Sequence, residues 1–353
     1  MRDKFFKYIP YNDDIHKKLW EEATFVFDAN IFLNLYRYSS ETKNQVISCL
    51  DKISGRVWIP YQTGKEFFEN RVTTILAQEK VYSDLEKNLN MTNKINFIKR
   101  IRHTTLDSQK EKMIDIIKKC EKEINNIINE DKCNYQSLIY DDPNLDKILE
   151  LFDGKVGEKI SEDDYREYKK EIDKRYEAKI PPGYKDFDKN GDEKYGDAIN
   201  WLEIIKFAKE KNTNIIYVTD DKKEDWVEIR EGKKIGPRKE LLGEFYKKTD
   251  GCIIGIYNTE NFLKYSHEYL LNTDCEENKE VGKAISEIKS INNNIISIFS
   301  GSRNKEIINK LVKELYETNF YIGDFTCPDC GRTSDEGVYD SGNGFCQDCA
   351  PEH

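Results

Sequence analysis

Apolar and polar positions along the chain fall into two alternating rhythms. The run TFVF at residues 24–27 is a short strand candidate that ends on Asp28, and Ile31, Leu35, Val46 and Leu50 then recur at helical spacing. After Gly55 comes VWIP, a second buried-strand candidate closed by Pro60, followed by the helical pattern TGKEFFENRVTTIL. From about residue 72 to 180 the chain is rich in Lys, Glu, Asn and Ile at helical spacing with few breakers, which predicts a helical insertion or arm. The first rhythm then returns as helix (GDAINWLEIIKFAKE), strand (NIIYVTDD), helix (GPRKELLGEFYKK), strand (GCIIGIY) and helix (NTENFLKYSHEYLL). Strands alternating with helices predict a mainly parallel sheet covered on both faces, an α/β fold in three layers. The predicted organisation is an α/β domain from 1–71 and 181–272, the insertion at 72–180, a helical linker region at 273–323 and a small module at 324–353. No internal repeat is evident.

Composition narrows the class. At 353 residues the chain can bury a large core without disulfides, and with 38% hydrophobic against 35% charged residues it reads as a polar globular protein rather than a disordered one. No run approaches the roughly 20 apolar residues of a membrane span. The N-terminus MRDKFFKYIPYNDDIHKK lacks the apolar stretch of a signal peptide, so a cytoplasmic location is expected. A net charge of −10 argues against broad, sequence-independent wrapping of nucleic acid, though not against a local basic groove. Of nine cysteines, Cys49, Cys120, Cys133, Cys252 and Cys275 are scattered and are expected to be reduced, buried packing residues.

In parallel sheets ligands bind outside the carboxyl ends of the strands, and that rule singles out Asp28, Asp220 and Asp221, each directly after an apolar strand. Four short pieces, FDAN (Asp28, Asn30), GKEFFENR (Glu66), YGDAINW (Asp197) and VTDDKKEDW (Asp220, Asp221), place acids where one cluster could form. Carboxylates gathered from separate elements repel one another, and divalent cations relieve that repulsion, so the cluster predicts Mg²⁺ or Mn²⁺. Two such ions about 4 Å apart can activate water and stabilise a leaving phosphodiester oxygen without a catalytic histidine. The chain has only four His. Each piece also has a structural explanation. Thr63-x-x-Glu66 and Asp221-x-x-Glu224 are capping boxes, Asp28 and Asn30 suit a turn, and Asp197 suits a helix N-cap. The joint pattern of acids at strand ends and in first helical turns favours the site.

The stretch DFDKNGDEKYGD, from Asp186 to Asp197, opens like an EF-hand calcium loop but has Asp197 where that loop needs Glu, Glu193 where an apolar residue is usual, and Pro181-Pro182 where a helix should enter. It is therefore expected to be a turn delivering Asp197, and also Asp192 as an outer ligand, to a composite site; calcium stays the second reading. The following stretch IREGKKIGPRK holds Arg230, Lys233, Lys234, Arg238 and Lys239 against Glu231 alone. Beside a metal site such a loop would draw in a phosphate backbone. The insertion between 94 and 122 also leans basic and reads first as a solvated helical face and second as a nucleic-acid clamp.

FVFDANIFLNLYRYSSETKNQ, VWIPYQTGKEFFENR, YGDAINWLEIIKFAK, IIYVTDDKKEDWV and IGPRKELLGEFY together resemble the PIN-like domains, a bacterial branch of the PIN nuclease superfamily. The matching blocks cover about 24–71 and 181–270, interrupted by the insertion. The resemblance implies a three-layer α/β/α fold and a metal-dependent nuclease whose acids correspond to Asp28, Glu66, Asp197 and one or both of Asp220 and Asp221. A Thr-x-Asp pattern for the last acid favours Asp221. Many relatives cut RNA and some cut structured DNA. Asn30 would orient Asp28 or touch the scissile phosphate.

At the C-terminus, CPDCGRTSDEGVYDSGNGFCQDC carries two CxxC pairs, Cys327 with Cys330 and Cys346 with Cys349. Four thiolates at that spacing suit a closed, structural Zn²⁺ site of zinc-ribbon type, while His353 reads as a terminal residue rather than a ligand. The sequence thus predicts a divalent-metal-dependent endoribonuclease with a zinc module. Two alternatives stay open: a structure-specific or single-stranded DNA nuclease, and an inactive adaptor that binds nucleic acid or protein through the zinc module or arm. Nucleic acid is the expected partner, RNA before DNA. A homo-oligomer and a toxin or phage-defence role are left open by the sequence.

Overall fold

The computed structural model describes residues 1, 3–102, 107–189, 191–271 and 278–299. Met1–Asn292 form one compact unit; of a second, Asn293–His353, only the end of the last helix falls among the described residues. Cys327, Cys330, Cys346, Cys349, Cys275, His353 and most of the expected linker region therefore lie outside the described residues. Among the described residues no helix is long and apolar enough to cross a membrane.

The centre is a four-stranded parallel sheet in the order β2-β1-β3-β6, formed by β1 (Thr24–Phe27), β2 (Val57–Trp58), β3 (Ile215–Val218) and β6 (Ile254–Tyr257). The two central strands are apolar almost throughout because both of their faces are covered. The period of two is nonetheless visible in where the side chains go. Phe25, Phe27, Ile216 and Val218 join the core on one face, while Val26, Ile215 and Tyr217 join the core on the other. The first face is packed by α1 (Asp13–Glu22), α2 (Ala29–Asn34), α3 (Ser40–Lys52), the start of α4 (Tyr61–Asn88), α7 (Pro143–Phe152), α11 (Thr259–Tyr269) and α12 (Lys279–Phe299). The second is packed by α9 (Gly196–Lys211) and α10 (Lys239–Lys248), chiefly through Trp201, Ile204, Leu241 and Phe245. The protein is thus a three-layer α/β/α fold.

Two features differ from the simplest sequence reading. The boundary expected at residue 71 falls within α4, which runs unbroken from the sheet into the arm, where α5 (Thr92–Arg100), α6 (Asp107–Ser137) and α8 (Glu162–Glu177) follow. Arg71 sits on that shared helix. Its Nε donates to Asp142 Oδ2 at 2.7 Å and its Nη2 to the Leu138 carbonyl at 2.8 Å, while the Tyr36 hydroxyl donates to the same carboxylate at 2.6 Å. Asp142 also caps α7, accepting from the amides of Asn144 and Leu145. This buried knot ties the arm to the turn after α2 and to α4. The second difference is the basic stretch after residue 226. It is an antiparallel hairpin of β4 (Val227–Arg230) and β5 (Lys233–Pro237) rather than a loop, turning through Glu231 and Gly232 with φ of 51° and 75°. Positive φ at both turn residues suits the twist of a two-residue hairpin. Among the scattered cysteines, Cys49 and Cys252 are buried, but Cys120 on α6 is exposed, a correction to the expectation of burial.

Candidate active site

The carboxyl edge of the sheet is where the acids meet. β1 ends in Phe27 and β3 in Val218, which are register partners, so Asp28 and Thr219 emerge side by side. Asp28 is 8% exposed, and its Oδ2 accepts the Thr219 hydroxyl at 2.8 Å and the Asn30 amide at 3.4 Å. It occupies the N-cap position of α2 without making a side-chain cap bond, so the structural role open to it from sequence is not the one it takes. Burial, and then the nearby charge of Asp197, push its carboxyl up to about 6 against the weaker pull of Thr219.

Glu66 lies in the second turn of α4, which starts at Tyr61, so Thr63 is already inside the helix and does not cap it. The Thr63 hydroxyl instead donates to Asn200 Oδ1 at 3.2 Å. Gln62, one turn earlier, donates to Glu66 Oε1 at 2.7 Å. Burial, then the charge of Asp28, push Glu66 up to about 8 although Gln62 opposes the shift. Its carboxylate lies against the first residue of α9: a Cβ on Gly196 would stand 2.6 Å from Oε1. Gly196 is thus required for close approach, which the quoted motif YGDAINW contained but periodicity could not reveal.

Asp197 follows in the first turn of α9, and Asp221 follows Thr219 in the turn after β3. Asp221 Oδ1 accepts the Lys223 amide at 2.8 Å, a tight local turn, and burial followed by repulsion from Asp197 pushes its carboxyl up to about 7. Between these groups sits Lys223, which sequence reasoning passed over. Its Nζ lies 2.8 Å from Asp186 Oδ2, 2.9 Å from Asp221 Oδ2 and 3.0 Å from Asp197 Oδ2. Burial works against the ammonium charge, but Asp197, Asp221 and Asp186 outweigh it and hold its pKa above the ordinary lysine value. The Trp226 indole N–H points at Asp197 Oδ2 from 3.5 Å. Buried Asp225, also missed, receives the amides of Gly183 and Lys185 and so fixes the entry to the segment that delivers Asp186 and Asp197.

The remaining candidates go elsewhere. Asp220, next to Asp221, faces the start of α11 and accepts from the Thr259 amide and hydroxyl, at 3.0 and 2.6 Å, and from Asn34 at 3.3 Å. Asp192 is exposed and pairs with Lys169 at 2.5 Å, which pulls its carboxyl down. Asp186 and Asp197 meet at Lys223 while Asp192 turns away to Lys169, so Asp192 does not join them as a ligand of one calcium loop would. Glu228 on the hairpin pairs with Arg230, also on it, and with Lys239 at the start of α10, at 2.6 and 3.5 Å, while Arg238, between the hairpin and α10, pairs with Glu240 at 2.9 Å. Lys233 and Lys234 stay exposed at the turn. An apolar groove of about 820 Å³ between α4 and α7 includes none of Asp28, Glu66, Asp197 and Asp221 in its lining.

Among the described residues no three His, Cys, Asp or Glu side chains form a ready coordination group. The donor chemistry nonetheless fits a hard divalent cation: Asp28, Glu66, Asp197 and Asp221 are oxygen donors on four elements, three of them with carboxyls pushed up by burial and by one another. No curated protein and no solved structure matches the chain. A family model described as a PIN like domain matches residues 24–241, more than half of the chain, and spans β1, α4, α9 and the turn after β3; the protein is a member of the PIN-like domain family.

Proposed function

We propose that the protein is a divalent-metal-dependent endoribonuclease that hydrolyses phosphodiester bonds at the carboxyl edge of its sheet. The observation that supports this most is the gathering of Asp28, Glu66, Asp197 and Asp221 in a largely buried, mutually repelling set, of which Lys223 pairs with Asp197 and Asp221. Membership of a nuclease superfamily points the same way, and RNA is put before DNA on that likeness alone.

Asp28, Glu66 and Asp197, with Asp221 beside them, would hold Mg²⁺ or Mn²⁺. When bound, the cation supplies charge neutralisation at the phosphate and lowers the pKa of water. The protein's own part is to keep those acids aimed. Thr219 holds Asp28, Gln62 and the bare Cα of Gly196 hold Glu66, and Lys223 and Trp226 hold Asp197. Asn30, exposed and donating to Asp28, would orient that carboxylate or touch the scissile phosphate. The hairpin with Lys233 and Lys234 starts directly after Trp226 and would carry the phosphate backbone toward the acids. Asp220 acts as an anchor for α11 in this reading. The CxxC pairs Cys327/Cys330 and Cys346/Cys349 would bind a structural Zn²⁺, on the strength of their spacing.

The rival reading is an inactive nucleic-acid or protein adaptor, favoured by the absence of a ready three-ligand group among the described residues. End-labelled single-stranded, duplex and branched RNA and DNA, incubated with Mg²⁺, Mn²⁺ or chelator, separate the readings. RNA products that need the metal support the proposal. Metal-dependent cleavage of DNA alone moves it to a DNA nuclease, and binding without products in any metal supports the adaptor.

A further inference from the structure

The acidic cluster is electrically lopsided. On one side, Asp186, Asp197 and Asp221, which come from three different segments, converge on the Lys223 ammonium within 2.8–3.0 Å. An ammonium has three N–H donors, so each can serve one carboxylate. The Lys223 amide is also bonded to Asp221 Oδ1, which fixes the root of the side chain. On the other side, among the described residues, Asp28 and Glu66 receive side-chain hydrogen bonds from uncharged groups, Thr219 and Asn30 for the first and Gln62 for the second, and the charge of Lys189 acts on Glu66 more weakly than those of Asp28 and Asp197. Asp197 stands at the seam, bonded to Lys223 and repelling both Asp28 and Glu66.

We propose that the Lys223 ammonium is a built-in cation that takes the place of a second divalent ion, so that the chain binds one divalent ion, held by Asp28, Glu66 and Asp197, instead of two. An ordinary surface ion pair joins two partners and contributes about 0–1 kcal/mol. Lys223 instead draws together three acids, Asp197, Asp221 and Asp186, the last of which also pairs with Lys189 at 3.1 Å, and so occupies a position among oxygen donors of the kind a divalent cation takes. Its contact with Asp197 makes it a positioning residue: it leaves one face of that shared carboxylate for the ion and occupies the other. This inference rests on the proposed metal-dependent reading.

The test is calorimetric titration of Mn²⁺ into chelator-stripped full-length protein, wild type beside Lys223→Met. Mn²⁺ is chosen because it favours oxygen ligands over the thiolates of the C-terminal cysteines. One ion per chain in the wild type and two in Lys223→Met is the expected result, with cleavage by the variant needing more Mn²⁺ for half-maximal rate. A purely structural lysine would alter thermal stability but leave the count at one in both proteins, which overturns the inference. So does a count of two in the wild type, which leaves the metal-dependent reading standing. A count of zero in the wild type overturns both. Lys223→Gln, which keeps polarity and most of the length, replaces the Met variant if that one fails to fold.

Discussion

Two buried aspartates teach opposite lessons. Asp142, 5% exposed, is surrounded by groups that answer its charge: the Arg71 guanidinium, the Tyr36 hydroxyl and two backbone amides. Asp28, 8% exposed, has a threonine hydroxyl and a long contact to an asparagine, and faces other acids. A buried charge that is fully paired holds elements together; here it locks the arm to the turn after α2 and to α4. A buried charge left without a cation is costly to keep, and costly groups gather where something else is meant to bind. On the proposed reading, the contrast separates the part of the molecule that builds from the part that acts.

The comparison breaks or sharpens under mutation. Glu66→Gln keeps the size of a side chain whose carboxyl is already pushed up to about 8, so the fold tolerates it, while nuclease activity is expected to fall by about a thousandfold. Initial rates on labelled RNA beside the thermal midpoint give the answer, and a lower midpoint with unchanged rates would reverse the assignment. Asp142→Ala should do the opposite, leaving Arg71 buried and unpaired at a cost of about 3–5 kcal/mol in urea unfolding. Gly196→Ala puts a methyl against Glu66 Oε1, the movable end of a side chain. Stability should hold or rise slightly from the better helix former, and activity should drop about tenfold or more.

A smaller effect concerns pH. Asp28, Glu66 and Asp221 have folded-state pKa values raised to about 6, 8 and 7, so the folded chain keeps protons that the unfolded chain has released. Their contribution to the stability of metal-free protein is full below the unfolded values of 3.8 and 4.5 and is lost as pH rises through 6 to 8. Denaturation midpoints in chelator should therefore decline over that window from this source, and Mn²⁺ should restore more at pH 8 than at pH 5; a flat difference contradicts the shifts. Smallest is the hairpin. Lys233→Ala with Lys234→Ala should weaken single-strand binding a few-fold and reduce the salt slope by about 1.4, at roughly 0.7 per phosphate contact.

Much of the fold was legible because burial on both faces leaves an unmistakable trace: TFVF and IIYV each end directly in an acid-bearing turn, and helices follow at regular intervals. The acids at those strand ends could be read for the same reason. The hairpin could not, since Val227–Arg230 alternates weakly and its turn uses Glu-Gly, where Asn-Gly would have announced it. Lys223 was hidden among charged neighbours in DDKKED, where a lysine reads as a solvated side chain unless its three partners, one of them 37 residues away, are seen in space. Asp220 and Asp221 are adjacent and chemically alike, and only the direction of the turn sends one to Lys223 and the other to Thr259. Gly196 carries no side chain to attract notice; what matters is the carboxylate that leans on it.

The most direct measurement is cleavage of end-labelled single-stranded RNA by wild type and Asp28→Asn protein, each with Mn²⁺ and with chelator, at matched thermal stability. Products that appear only for the wild type and only with Mn²⁺ are the predicted result. Equal cleavage by Asp28→Asn, or cleavage undiminished in chelator, would contradict the claim that the acids at the sheet's carboxyl edge are the catalytic centre.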